Sequence, residues 1–593
     1  MHLLRLFLGM LAFLCTLGSS AVAQAVPDDM CPRGAVGGAV PEPAELHSHD
    51  GALKVEFSFR TMVDAAGLTR YCYITKDGLQ SPTLRLKPGD QLTLSLRNEL
   101  PASSASSGHQ HAMAARSAEM HDCAGGAMTA VSTNLHFHGL LIPPVCHQDD
   151  TLKTLIQPSD PPFEYSVKIP ADQPPGLYWY HPHVHGFNKA QVLGGASGAL
   201  IVEGIETVND AVSGLPERVL VIRDQELVHP DAAPVQTDNM PAPQVLRDAE
   251  GDILNTGTGS GKPAKDLSIN FVPVAYPRYQ PAVIAMKPGE RQLWRVLNAS
   301  AITYLDLQVL FNDRAQQAGV VALDGVPVNE NGNRDQKVVW KGHMLVPPAG
   351  RVEFIVKAPK EGIRASLVTR SVDSGPAGEN DPTRPLATIV ARTDAPEPHA
   401  QLPTSPTSLA VANVAPLRDI TPAHERKLYF TENPQDPKNP NSPTQFFLTV
   451  EGKTPVLFDP NATEPNITVK QGDVEDWVIE NRTTELHDFH IHQTHFQLLQ
   501  WNGVPVDEPY LRDTVNVAYW DGHSPVYPSV KLRMDFRDPN LIGTFVYHCH
   551  LLEHEDGGMM GTIRVEPSGN SAAAGSQSSR MAVSHPPRQA HSR

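Results

Sequence analysis

The sequence predicts an all-β protein built from three similar Greek-key β-sandwich domains, and three observations carry that prediction. The 593 residues include 54 prolines and 43 glycines, a turn-rich composition that suits short strands better than long helices. A turn-and-strand unit recurs three times at about 190-residue spacing, far longer than a solenoid repeat. A second corner, a glycine followed by an alternating strand, recurs in the same three regions.

Residues 1–25 read as an export leader. Arg5 opens a short basic start, an apolar run spans Leu6 to Leu17, and Ala-x-Ala sites end at Ala23 or Ala25. The run is too short to cross a bilayer, and there is no Arg-Arg pair, so the expectation is export unfolded, with metal loaded outside. The mature chain is expected to be periplasmic or secreted, without a membrane span. A net charge of −17 argues against nucleic acid or an anionic membrane as partner. Leaving Cys15 and Cys549 aside, Cys31, Cys72, Cys123 and Cys146 allow two disulfides in an oxidising compartment, with three connectivities open.

The repeats come next. Lys87-Pro88-Gly89-Asp90, Lys287-Pro288-Gly289-Glu290 and Lys470-Gln471-Gly472-Asp473 each precede an alternating strand that ends at Asn98, Asn298 and Asn481, nine residues past the glycine. The second corner is Gly176-Leu177-Tyr178-Trp179-Tyr180 before His181, Gly362 to Ser366 before Leu367, and Gly543-Thr544-Phe545-Val546-Tyr547 before His548. These give domains at 45–204, 215–393 and 412–566, joined near Gly204 and through the Pro/Ser/Thr-rich run from Asp394 to Pro416. The Ser/Ala/Gly-rich stretch 567–593 reads as a disordered tail.

Histidines mark two of the three repeats. Nine and eleven residues past Asn481 come His490 and His492; the same offsets in domain 2 give Leu307 and Val309. Domain 1 has an insertion after Asn98, and the pattern resumes at His136-Phe137-His138. At the second corner stand His181 and His183 in domain 1, His548 and His550 in domain 3, and Leu367 and Thr369 in domain 2. With 26 histidines, a random chain would hold roughly one His-x-His pair. Four pairs at equivalent repeat positions are therefore a metal-binding pattern, expected where the outer domains meet. His47/His49, His109/His111 and His183/His185 lack that support as pairs.

Domain 3 alone adds a thiol. Cys549 lies between His548 and His550, with His554 and Met559 five and ten residues on and His487 three residues before His490. A Cys–His₂–Met set favours a copper redox site. Neighbours on a strand face opposite ways, so Cys549 serves one site and its flanking histidines another. In domain 1 Pro182 stands where Cys549 would be, which excludes a second thiolate site there.

With these motifs, the stretch from Thr83 to Val565 resembles a three-domain multicopper oxidase of the bacterial laccase-like or cuprous oxidase-like type. The resemblance implies three cupredoxin-like domains and four copper ions. His487, Cys549, His554 and Met559 would be the type 1 ligands, and His136 and His490 the type 2 ligands. His138, His181, His183, His492, His548 and His550 would hold the type 3 pair. It further implies one-electron oxidation of a phenolic or aromatic donor, or of Cu(I), coupled to four-electron reduction of O₂ to water. Glu555, and Asp149 or Asp150 with Asp149 favoured, are the candidate proton relay. Asp488 stands where the family usually has proline, and no glycine follows His492; an altered loop shape is expected from this rather than altered ligation. The insertion 101–130 carries His109, His111, Met113, Met120, His121, Cys123 and Met128. Soft ligands of that kind suit a Cu(I)-capturing flap; the alternative is a surface loop in which Cys123 pairs with Cys146 or another cysteine. Two further functions weighed are a copper nitrite reductase and a copper-sequestering resistance protein. The histidine set in one chain argues against the first, and the Cys549 link between two sites against the second.

Overall fold

The computed structural model describes residues 30–102, 123, 126–235, 245–249, 251–332, 335–404, 415–439 and 442–568. The leader 1–25, the tail beyond 568, and the insertion's His109, His111, Met113, Met120 and His121 lie outside these residues.

The strands fall into six sheets, two for each third of the chain. The first third contributes a 4-stranded and a 5-stranded sheet, the latter containing β1 (His136–His138) and β2 (Gly176–His181). The middle third contributes a 9-stranded sheet and a 6-stranded one with β3 (Leu305–Phe311) and β4 (Ala365–Arg370). The last third contributes a 7-stranded sheet and a 5-stranded one with β5 (His487–Ile491) and β6 (Gly543–Cys549). Helices are short; α1 (Asn188–Leu193) and α2 (Leu552–Asp556) follow β2 and β6. No helix of the described residues is long and apolar enough to cross a membrane.

The repeated sequence units perform the same local task three times. In each turn the fourth residue's N–H donates to the first residue's carbonyl: Asp90 to Lys87 at 3.0 Å, Glu290 to Lys287 at 3.1 Å, and Asp473 to Lys470 at 3.1 Å. The third residue has φ of +88° at Gly89, +74° at Gly289 and +105° at Gly472, a conformation that glycine adopts without Cβ strain. The asparagine closing each strand is buried and ties loops to it. Asn98 Nδ2 donates to the Val131 and Ile156 carbonyls, Asn298 Nδ2 to Thr303 and Val346, and Asn481 Nδ2 to Glu485 and Val517. Each Oδ1 accepts the N–H two residues on, at Leu100, Ser300 and Thr483.

Each sheet pair encloses its own apolar core. The core of the last third also takes in Val192 and Leu193 of α1 and Ala301, Ile302, Tyr304 and Val372 of the middle third, so the three units share a seam. Contact is close elsewhere too: a Cβ on Gly176 would lie 2.2 Å from the Gly325 carbonyl oxygen. Cys31 pairs with Cys72 and Cys123 with Cys146. The second bridge removes Cys123 from the insertion's soft ligands, because a disulfide sulfur is no thiolate.

Candidate metal centre

Strand register assembles the histidines. β1 and β2 pair antiparallel with His136 opposite His181, and β5 and β6 do the same with His490 opposite His548. The middle third pairs Leu307 with Thr369 in β3 and β4. The sequence alignment that set Leu367 against His548 is therefore two residues out of register with Leu307. An irregularity in the pairing at Leu367/Val368 breaks the simple count along β4. At the equivalent sheet position this unit offers a methyl-rich and a hydroxyl side chain and no imidazole.

The eight histidines of the outer units converge in one buried cluster, each no more than 3% exposed. Rings stack across the interface, His136 on His492 with centroids 3.9 Å apart and His138 on His490 at 4.0 Å. Nitrogens within 4.8 Å of one another form triads that include His136, His138 and His490; His138, His181 and His550; and His183, His492 and His548. Burial first, then neighbouring imidazoles, pushes His181, His183, His492, His548 and His550 well below the usual imidazole range. They are neutral, the form that binds metals.

Second partners fix the ring orientations. Asp149 accepts His136 Nδ1–H at 2.9–3.0 Å and the Phe137 N–H at 3.0 Å, and Gln493 donates to its other oxygen. The Asp513 carbonyl takes His490 Nδ1 at 2.9 Å, and the Pro182 carbonyl takes His181 Nδ1 at 2.8 Å. His548 Nδ1 bonds the Cys549 carbonyl at 2.9 Å, and Glu555 Oε2 lies 3.1 Å from the same nitrogen. Buried nitrogens on the opposite edges, Nε2 of His136, His181, His490 and His550, have no hydrogen-bond partner among the described residues. A buried lone pair without a donor costs stability unless a metal takes it. The donor set therefore fits copper ions held by imidazole.

The thiol site lies on the other side of β6. Cys549 Sγ is 3.6 Å from both His487 Nδ1 and His554 Nδ1, and these three residues form a further potential metal triad. Met559 is fully buried; its carbonyl accepts Cys549 N–H at 3.1 Å and its N–H donates to the His554 carbonyl at 2.8 Å. The far nitrogens of the two histidines meet carboxylates, His487 Nε2 at 3.0 Å from Glu432 and His554 Nε2 at 3.1 Å from Glu485. Phe446 stacks on His554 with centroids 4.4 Å apart. Cys549 is the free cysteine among the described residues.

Of the acids read from the sequence, two reach the cluster. Glu555 is fully buried, within 3.1 Å of His548 and 3.6 Å of His183, and also accepts from Asn188 Nδ2 of α1. Burial pushes its carboxyl well above the usual range. Asp149 sits on His136 as described. Asp150 does not join them: its Oδ1 accepts the Lys153 N–H at 3.1 Å in a partly exposed turn, because consecutive residues there point apart. Asp488 also departs from expectation. It lies within β5, paired with Asn516, so the strand keeps its shape, and its carboxyl turns toward Cys549.

Sequence reasoning missed Asp513, Arg351, Glu432 and Glu485. Fully buried Asp513 lies 3.4 Å from His138 Nε2 and takes a bidentate contact from Arg351 of the middle unit at 2.8 and 2.6 Å. Against the penalty of burial, Arg351 holds the Asp513 carboxyl below its ordinary range. Nothing local in the sequence marks either residue; an acid between strand residues in Leu511-Arg512-Asp513-Thr514-Val515 was the one available signal. A cleft of about 1430 Å³ between the three units includes Glu330 and His495 in its wall. His495 of that wall lies 3.8 Å from Asp513.

Two segments, 127–207 and 420–569, match family models described as multicopper oxidase. The chain is 25% identical to "Multicopper oxidase mco" of Staphylococcus aureus over 493 residues, 82% of each chain. It is 25% identical to "Copper resistance protein A" of Escherichia coli over 357 residues, covering 56% of this chain and 52% of that one. The solved multicopper oxidase of Campylobacter jejuni, titled a metallo-oxidase, superposes with a TM-score of 0.60 at 23% identity, covering 91% of this chain and 96% of that one.

Proposed function

We propose that this chain, which belongs to the multicopper oxidase family, takes its electrons from Cu(I) or a similar small metal cation and passes them to O₂. Bound copper supplies the redox chemistry, one-electron oxidation at a thiolate-ligated ion and four-electron reduction of O₂ to two waters at a three-ion cluster. His487, Cys549, His554 and Met559 would hold the first ion. His136 and His490 would hold the type 2 ion, and His138, His181, His183, His492, His548 and His550 the type 3 pair. The sheet groupings support domains at 45–204, 215–393 and 412–566, with the ligands in the outer two.

The chain's own residues do the rest. Cys549 is bonded through the backbone to His548 and His550, so one peptide unit separates the two sites. Asp149 keeps His136 Nδ1 protonated and its Nε2 free to bind. Reduction of O₂ consumes protons, and Glu555, its carboxyl pushed up by burial, is positioned to deliver them at Oε2 beside His548 Nδ1. The buried cluster excludes bulk water from the reaction.

The observation that carries the donor assignment is the closed edge of His554. The ring is 2% exposed, covered by Phe446 on its face and met by the Glu485 carboxylate at Nε2. An aromatic donor finds no ring edge to stack against, whereas a cation is drawn to a carboxylate. The "metallo-oxidase" and "Copper resistance protein A" among the similar proteins agree with this. Export from the cytosol is supported by the leader-like start and by two disulfides.

The test is O₂ uptake by copper-loaded protein offered Cu(I) or a phenol. Cu(I) is expected to turn over at least tenfold faster, and Glu485→Ala to lower the Cu(I) rate while raising that of the phenol. Rapid phenol oxidation with no turnover of Cu(I) would overturn the donor assignment; no uptake with either would overturn the oxidase reading.

A further inference from the structure

None of the proposed copper ligands lines the cleft of about 1430 Å³ that takes in Glu330 and His495. That volume has room for an organic molecule rather than a bare ion. Acidic side chains in its wall outnumber basic ones by eight to four, so the cleft carries a surplus of negative charge. The basic groups are mostly engaged already. Arg85 is paired with Glu45 and Glu217, Arg295 with Glu217 and Glu353, and Arg537 with Asp535. Of the lining cations only Lys87 makes no ion pair among the described residues, and it is exposed.

Two acids of the wall have no cation of their own. Glu206, on the short helix Ile205–Val208, is 6% exposed, and its Oε2 has no hydrogen-bond partner among the described residues. Glu330, in the middle third of the chain, makes no ion pair among the described residues, and burial alone raises its carboxyl to about 7. Burial raises Glu206 as well; Glu203 and Glu217 add to this, while its own N–H and Arg295 oppose it. A buried carboxyl without a counter-charge behaves in this way. Neither acid acts on the other, so they are two anchor points rather than one coordination sphere. A divalent metal ion needs converging oxygens; carboxyls set apart suit a molecule with more than one positive end. The same wall includes Leu141, Val208, Leu402, Leu417 and Leu511, apolar surface of the kind that methylene stems cover.

We propose that this cleft binds a flexible aliphatic polyamine, whose ammonium groups pair with Glu206 and Glu330 while its methylenes lie along the apolar wall. Each ammonium donates charge-assisted hydrogen bonds to a carboxyl that otherwise lacks a cationic partner. A ligand held at both anchors ties the segment around Glu206 to the middle third and stabilises the folded chain by mass action. The site is separate from the electron path, and its occupancy does not depend on the copper assignment.

The experiment is titration calorimetry of the copper-loaded protein with spermidine, and in a parallel arm with magnesium chloride. It is run at low ionic strength and at pH 8, above the Glu330 carboxyl, with copper content measured before and after. Wild type is compared with Glu206→Gln, Glu330→Gln and the double variant, and with Glu361→Gln, an exposed acid outside the cleft. The amides are nearly isosteric with the acids they replace, and melting curves check that each variant folds. Spermidine should bind saturably with a Kd of about 0.1 mM or below. Each cleft substitution should weaken it at least about fivefold, the double variant more, and Glu361→Gln should match wild type. Absence of saturable binding overturns the proposal, as does magnesium binding as tightly as spermidine. Equal affinity in wild type and the double variant overturns it too, and so does an equal loss in Glu361→Gln, which would mark general charge attraction.

Discussion

Replacing Arg351 by methionine tests whether the middle third of the chain, which supplies none of the proposed ligands, supports the histidine cluster. Arg351 and Asp513 are both fully buried, and the contact is bidentate at 2.8 and 2.6 Å. Arg351→Met leaves the Asp513 carboxylate buried without its cation, beside His138 and His490. Breaking a buried pair from one side costs roughly 3–5 kcal/mol, chiefly the desolvation of the charge left behind. For a cooperative unit of domain size this lowers the melting temperature by roughly 6–20 °C. The assay is scanning calorimetry of the metal-free protein, with copper counted after loading. Arg351→Met/Asp513→Asn should recover much of the loss, because an amide carries no uncompensated charge; the non-additivity measures the coupling. A single variant that melts within a degree of wild type and loads full copper would refute the argument.

Other consequences can be measured independently. Cys549→Ser should abolish the blue absorption while leaving the histidine cluster loaded; a retained band would contradict the thiol site. Asp149→Asn should weaken metal binding at His136 by about 10–100-fold, seen as lower copper content under mild chelation, because the ring loses a charged orienting partner. Glu330, lining the cleft that also takes in His495, has its carboxyl pushed by burial from 4.5 up to about 7. A raised acid is protonated in the folded state while already ionised when unfolded, so its contribution to stability falls as pH rises from about 4.5 to 7 and levels off above. Glu330→Gln should therefore stabilise the protein at pH 8 and leave it unchanged below pH 4, as read from denaturant midpoints.

The sequence made the fold legible wherever a residue type has a single physical use. Gly89, Gly289 and Gly472 are needed for a left-handed turn, and Asn98, Asn298 and Asn481 for a side chain that donates to two carbonyls and accepts one amide. The His-x-His pairs were legible because a strand's period of two places both rings on one face. What stayed hidden was pairing between distant residues of ordinary type. Arg351 and Asp513 are 162 positions apart, and each reads locally as a surface charge on a strand. Asp488 was visible as a departure but was read as a loop change, since sequence does not tell which face of β5 its carboxyl occupies. Asp149 and Asp150 were inseparable in the sequence; the turn at Lys153 decides between them.

The middle third of the chain touches both sites without supplying a proposed ligand: Arg351 grips Asp513 at the cluster, and the Ala301 carbonyl accepts Leu552 N–H at 2.8 Å just beyond the thiol loop. That makes metal loading and the docking of this domain thermodynamically linked, and linkage is reciprocal. Whatever free energy copper gains from a docked middle domain, the docked state gains from copper. Stripping the metal should then speed amide hydrogen exchange at Ala301–Tyr304 and Arg351, far from any bond to the ion. A segment that supplies none of the proposed ligands would in this way still be governed by the copper of its neighbours.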